Sequence, residues 1–125
     1  MLIGTGVDLI EIERIAHSIE RYGDRFLRRI YTDYEIAYCT SKRSSAESFA
    51  ARFAAKEAGA KALGTGISRG VTWIEFQITR QPGARPVLEL RGRAALLARE
   101  LGVKTISLSL THTGNLAMAT VMMED

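Results

Sequence analysis

The sequence predicts an α+β fold, a mostly antiparallel sheet packed by helices, and two rhythms in its apolar residues predict it. Between residues 12 and 63 apolar side chains recur at helical spacing, whereas after Gly64 the period switches to two over Thr72–Ile78 and again over Ile106–Leu110. Helical segments followed by strands, with turn residues between them, read as α+β rather than as repeated βαβ units. A chain of 125 residues with 46% hydrophobic content is expected to form one domain over residues 1–125.

Each element has a local reason. The run Leu2-Ile3-Gly4-Thr5-Gly6-Val7-Asp8 opens as a short strand through Val7. Ile12, Ile15, Ile19 and Tyr22 then make a helical stripe, which Gly23 interrupts. Asp24 is placed to cap a short helix through Tyr31, and Thr32 with Glu35 forms a capping box ahead of a helix ending near Cys39. Ser44 with Glu47 repeats that pattern and Gly64 supplies a stop, so the spacing predicts a helix from about Ser45 to Leu63. At about 3.6 residues per turn, Ala50, Ala51, Ala54, Ala55, Ala58 and Ala62 share one small-residue face, which predicts that this helix is buried. Arg52 and Lys56 lie along one edge of the remaining arc, Glu57 and Lys61 along the other.

After Gly64, Thr72, Ile74, Phe76 and Ile78 alternate with Val71, Trp73, Glu75 and Gln77 as in a half-buried strand. Gln81-Pro82-Gly83 turns the chain toward a second strand over Val87–Leu90. Ala94, Ala95, Leu97, Ala98 and Leu101 form a helix ended by Gly102. Ile106, Leu108 and Leu110 resume strand alternation, and Thr113-Gly114-Asn115 reverses the chain into a last strand over Leu116–Met123.

Charged groups on a packed helix need a reason. Glu57 followed by Lys61 is a favourable i, i+4 ion pair, contributing about 0.2–0.5 kcal/mol on an exposed helix. The chemical alternative treats Glu57 as an oxygen ligand to a hard cation and Lys56 and Lys61 as partners for phosphate oxygens. Paired acids beside lysines suit magnesium holding a diphosphate, which brings in Asp8 at the end of the opening strand.

Gly6-Val7-Asp8 and Phe53-x-x-Lys56-Glu57-Ala58-x-x-Lys61 together resemble the two signature motifs of the 4'-phosphopantetheinyl transferases. The Ala50–Ala58 run, the Ala62-Leu63-Gly64-Thr65-Gly66 exit and Ser107-Leu108-Ser109-Leu110-Thr111-His112-Thr113 are similar to the small bacterial subtype, the holo-acyl-carrier-protein synthases, over essentially the whole chain. The resemblance implies transfer of 4'-phosphopantetheine from coenzyme A to a serine of apo-acyl carrier protein, releasing adenosine 3',5'-bisphosphate in support of fatty acid biosynthesis. It implies Mg2+ on Asp8 and Glu57, catalytic roles for Glu57, Lys61 and His112, and coenzyme A contacts from Lys42, Arg43, Arg52, Lys56, Gly64, Thr111 and His112. A metal-bound water or Glu57 itself would take the serine proton. Thr111 stands where the family pattern has a serine, so a hydroxyl survives.

The same resemblance implies a homotrimer with active sites between subunits, and an acidic carrier docking on the early helical region. Arg21, Arg25 and Arg28 share one helical face by spacing, with Arg14 upstream and Arg29 beside them, a natural match for such a partner.

A net charge of +3 could instead point to nucleic acid. Against it, Phe49, Phe53, Trp73 and Phe76 sit at core-like positions with no stacking platform interleaved with cations, so no nucleic-acid partner is expected. A nucleotide phosphohydrolase using Asp8 and Glu57 would need a phosphate cradle, and Gly4-Thr5-Gly6 has the wrong continuation for one. Cys39 is the one cysteine, which excludes an internal disulfide framework and leaves it a packing role. The apolar stretches fall short of the roughly 20 residues of a membrane span and no signal core opens the sequence, so no membrane partner and a cytoplasmic location are expected.

Overall fold

Two glycines decide how this chain is layered. The computed structural model describes residues 1–125, and in it strand β1 (Leu2–Glu11) lies directly on the longest helix, α4 (Ser45–Leu63). A Cβ on Gly6 would sit 1.9 Å from the Ala58 carbonyl oxygen, and one on Gly4 would sit 2.0 Å from that of Ala62. Only bare backbone on the strand and alanine on the helix permit this approach. Ala50, Ala51, Ala54, Ala55, Ala58 and Ala62 are all buried, as their shared face predicts.

Between those elements run α1 (Ile12–Tyr22), α2 (Asp24–Ile30) and α3 (Asp33–Thr40). A 3₁₀ turn over Trp73–Glu75 follows α4 and leads into β2 (Phe76–Thr79), β3 (Val87–Leu90), α5 (Gly92–Leu101), β4 (Thr105–Thr113) and β5 (Leu116–Glu124). Every strand pair is antiparallel: one sheet has the order β1-β5-β4, and β2 and β3 form a separate hairpin. The three-stranded sheet turns Ile10, Ala117, Ala119, Val121 and Met123 inward onto the core. Its other face carries Val7, Leu9 and Met122, which are 53%, 58% and 48% exposed. No helix is long and apolar enough to cross a membrane.

Several local expectations are corrected by longer-range contacts. The first strand continues past Val7 to Glu11 because β5 pairs with it along that whole length. Asp24 is the first residue of α2 rather than its cap, a position taken by Gly23 at φ +54. The Thr32–Glu35 capping box forms, whereas the Ser44 side chain makes no cap hydrogen bond and the Glu47 carboxylate meets His112 instead. The alternation from Thr72 becomes a strand only at Phe76. Glu75 accepts from the Thr72 amide at 3.1 Å and from the Arg93 amide at 2.9 Å, which closes the 3₁₀ turn and ties it to the start of α5.

Lys56 requires the largest correction. Expected to meet phosphate oxygens, its side chain is 0% exposed and its Nζ donates to Glu35 Oε1 at 2.7 Å, the Phe76 carbonyl at 2.6 Å and the Trp73 carbonyl at 3.2 Å. Glu35 also accepts from the Thr32 amide at 2.8 Å and the Ile78 amide at 2.7 Å. All three ammonium protons have acceptors, so the ion pair binds α3, α4, the 3₁₀ turn and β2 into one knot. Burial lowers the proton affinity of Lys56, and the Glu35 charge works against that.

Gly6→Ala forces strand and helix backbones apart, and Lys56→Met strands the Glu35 carboxylate in the core. We expect at least 1–3 kcal/mol of destabilisation from the first, ~3–5 kcal/mol from the second, and less than about 0.5 kcal/mol from exposed Ser107→Ala, measured by urea unfolding.

Candidate active site

Strand alternation sends Gly4, Gly6, Asp8 and Ile10 toward α4, and the glycines let Asp8 approach the helix closely. Asp8 and Glu57 border one cavity of about 490 Å³, together with Arg14, Arg29, Phe53 and Trp73. Lys61 reaches back across the helix edge and donates to Asp8 Oδ1 at 3.1 Å and to the Val7 carbonyl at 3.0 Å. The ion pair that forms is therefore with the strand rather than with Glu57, the i, i+4 partner.

Burial pushes the Glu57 carboxyl above its usual range, and the neighbouring Asp8 charge pushes it further; the Trp73 N–H and the Lys61 charge act in the opposite direction. The two carboxylates face one half-open cavity that also holds Arg14 and Arg29, with the Lys61 ammonium on Asp8. No cluster of three or more His, Cys, Asp or Glu side chains suited to a metal exists anywhere in the chain. A pair of acids is a poor cage for calcium or zinc. It fits magnesium, which takes one or two carboxylates and fills its other positions with water and substrate phosphate oxygens.

A second cavity of about 450 Å³ collects cations. Lys42, Arg43, Arg52, Thr111 and His112 border it, joined by Tyr38, Glu47 and Arg80. Tyr38 is gripped by two charges, with the Arg52 guanidinium 4.4 Å and the Lys42 ammonium 4.6 Å from its ring centre. Arg52 also donates to the Ser48 carbonyl at 3.3 Å and hydroxyl at 3.2 Å. His112 Nε2 lies 3.0 Å from Glu47 Oε1, which fixes the imidazole against α4. A groove with this many cations is matched to an anionic ligand bearing several phosphate oxygens.

The structure thus groups Asp8, Glu57 and Lys61, and separately groups Lys42, Arg43, Arg52, Thr111 and His112. The two cavities share no lining residue on one chain. Lys56 borders neither, and Gly64 sits at the far end of α4, capping it at φ +89. Arg21, Arg25 and Arg28 do not share one continuous helical face as spacing predicts, because Gly23 separates Arg21 on α1 from Arg25 and Arg28 on α2. Arg14 and Arg29 border the carboxylate cavity, Arg25 joins Arg29 in an adjoining one of about 440 Å³, and Arg28 pairs with Asp33 at 3.4 Å.

The model of the 4'-phosphopantetheinyl transferase superfamily matches residues 4–121. The chain belongs to that superfamily. It is 54% identical over 125 residues to the holo-[acyl-carrier-protein] synthase of Koribacter versatilis strain Ellin345, covering the whole of both chains. The crystal structure of holo-[acyl-carrier-protein] synthase from Neisseria meningitidis superposes with a TM-score of 0.90 at 32% identity over 100% of each chain. That of the Helicobacter pylori holo-[acyl-carrier-protein] synthase in complex with coenzyme A superposes with a TM-score of 0.84 at 29% identity, covering 96% of this chain and 99% of that one.

Sequence reasoning passed over Arg80, Glu47 and Arg29. Arg80 enters the cationic cavity because the β2–β3 hairpin leans on α3, where the Tyr34 hydroxyl donates to the Arg80 carbonyl at 3.2 Å. No short-range pattern carries that contact. Glu47 was visible only as a helix-cap acid, and Arg29 only as part of a basic stretch.

The raised Glu57 proton affinity has a sign that can be tested. Below the ordinary glutamate range, about pH 4.3, both folded and unfolded chains hold the proton and the group is neutral to stability. As pH rises the unfolded chain ionises first, so stability falls until the folded form ionises too. Glu57→Gln should therefore raise the melting temperature of the metal-free protein at neutral pH and lose that advantage at about pH 3.5, measured by thermal denaturation in chelator.

Proposed function

We propose that this protein is a magnesium-dependent holo-acyl-carrier-protein synthase that moves the 4'-phosphopantetheine arm of coenzyme A onto a serine hydroxyl of apo-acyl carrier protein, in support of cytoplasmic fatty acid biosynthesis. The observation that carries the reading is the convergence of Asp8 and Glu57 on one cavity in a member of this superfamily. The full-length relative from Koribacter versatilis bears that activity in its name, and the Helicobacter pylori protein is described with coenzyme A bound.

Attack on the β-phosphorus of a diphosphate needs charge neutralised on the phosphate oxygens and an alcohol held nearly in line. Magnesium held by Asp8 and Glu57 would supply that neutralisation. Lys61 keeps Asp8 oriented through its 3.1 Å contact and has a further N–H to offer the substrate. His112, fixed by Glu47, stabilises the phosphates and the departing bisphosphate. Lys42, Arg43, Arg52 and Thr111 hold the 3'-phosphate and adenosine end, and Gly64 leaves open space for close approach at the end of α4. Arg14 at the carboxylate cavity, Arg25 in the adjoining one and Arg21 at the end of α1 meet the acidic carrier. Arg28 is engaged with Asp33 and contributes less.

The separation of the two cavities on one chain supports a homotrimer whose sites combine the carboxylates of one copy with the cations of the next. The sheet face bearing Val7, Leu9 and Met122 is the apolar surface such assembly would cover.

Incubation with apo-carrier, coenzyme A and magnesium should add one phosphopantetheine unit to the carrier by intact mass. EDTA should abolish the gain, and Asp8→Ala should slow it roughly 100-fold or more. An active Asp8→Ala enzyme in chelator would defeat the assignment. Reversing Arg14, Arg21 and Arg25 to Glu should raise the carrier KM on the order of tenfold at low salt and spare coenzyme A binding. Sedimentation under active conditions should give the mass of three chains.

A further inference from the structure

The indole of Trp73 is held from three sides, and its one polar atom makes no hydrogen bond. Lys56 Nζ fixes its carbonyl at 3.2 Å, Phe53 stacks on its ring at 6.5 Å between centroids with 28° between planes, and the Arg29 guanidinium lies 5.6 Å over the ring centre. Phe53 stands one helical turn before Glu57, so the stack draws the indole alongside that carboxylate. Trp73 Nε1 is buried without an acceptor in hydrogen-bond geometry. A buried donor left unpaired is costly, and such groups in native sites call for an explanation. A phenylalanine would keep an aromatic ring against Phe53 without one.

Asp8, Glu57 and the Ser18 hydroxyl are the side-chain acceptors around this cavity. Trp73 and Glu57 border the same cavity, and the indole N–H favours the anionic carboxylate. We propose that Trp73 is a positioning residue for Glu57: its N–H closes onto one carboxylate oxygen and so presents the other to the cation. The inference rests on the metal role given above to Asp8 and Glu57. Groups that hydrogen-bond a liganding carboxylate fix its orientation, and their removal typically weakens metal binding about 10–100-fold. The 3₁₀ turn at Trp73–Glu75 then has a purpose. It interrupts the strand expected there and is pinned at one end by Lys56 and at the other by the Glu75 contacts to Thr72 and Arg93.

Trp73→Phe keeps an aromatic ring against Phe53 and deletes the N–H together with the rest of the pyrrole ring. Calorimetric titration of Mn2+ into protein saturated with coenzyme A should show the variant binding about 10–100-fold more weakly than wild type. Its kcat should fall at limiting Mg2+ and recover at high Mg2+, with the KM for coenzyme A unchanged. Because Trp73 is the one tryptophan, its fluorescence reads the same site in the wild type: Mn2+ should quench it, and should fail to do so in Glu57→Gln. Equal Mn2+ affinity in Trp73→Phe and wild type would overturn the inference while leaving the metal reading intact. Absence of Mn2+ binding to wild type would overturn that reading and this inference with it. Should Trp73→Phe not fold, the wild type decides: Mn2+ binding seen by calorimetry with no change in Trp73 emission also overturns the inference.

Discussion

Everything in this molecule depends on the contact of bare backbone with bare backbone where β1 crosses α4. Gly4 and Gly6 remove side chains from the strand, and Ala58 and Ala62 keep them minimal on the helix. The result is a strand laid flush on a helix. Asp8 is the next inward-facing residue after Gly6, and Glu57 adjoins Ala58, so the glycine contact sets the two carboxylates against each other. A charged pair assembled from distant parts of the chain needs such a rigid abutment, because carboxylates that repel will separate wherever the backbone lets them.

Neighbouring charges on α4 have opposite fates for a geometric reason. Successive residues on a helix point about 100° apart, so Lys56 enters the core while Glu57 faces the cavity. The buried Glu35–Lys56 pair then acts on the site through the backbone it grips. By taking the Trp73 and Phe76 carbonyls it holds the 3₁₀ turn against α4 and with it the wall of the carboxylate cavity. A buried ion pair of this kind contributes little net stability over apolar packing, and its value lies in fixing one arrangement.

The two charged cavities differ in where their carboxylates and cations gather. One offers carboxylates and a raised proton affinity at Glu57; the other offers three arginine or lysine cations beside an anchored histidine, with Arg80 from the hairpin as a further one. A diphosphate bearing a nucleotide at one end would use both, and on one chain they stand apart. The exposed apolar face of the three-stranded sheet, centred on Val7, Leu9 and Met122, lies on the opposite side from the core.

Much of the fold was legible because its signals are local. The Ser45–Leu63 helix follows from the Ser44–Glu47 pattern and Gly64, although that box does not form, its burial from alanine spacing, the Thr32–Glu35 box from a four-residue pattern, and the β4–β5 reversal from Thr113-Gly114-Asn115. Asp8, Glu57, Lys61 and His112 could be picked from motif order, and the cations at 42, 43 and 52 from the same resemblance. What the tertiary structure alone decided was direction and partner. Lys56 went to Glu35, Lys61 to Asp8 and Glu47 to His112, and Arg80 arrived on a hairpin. Helix spacing and strand alternation report which residues share a face, since they arise from backbone geometry within a few residues. Which charge a side chain meets, and whether it is sealed from water when it does, is set by elements 20 or more positions away, and no short-range rule contains that information.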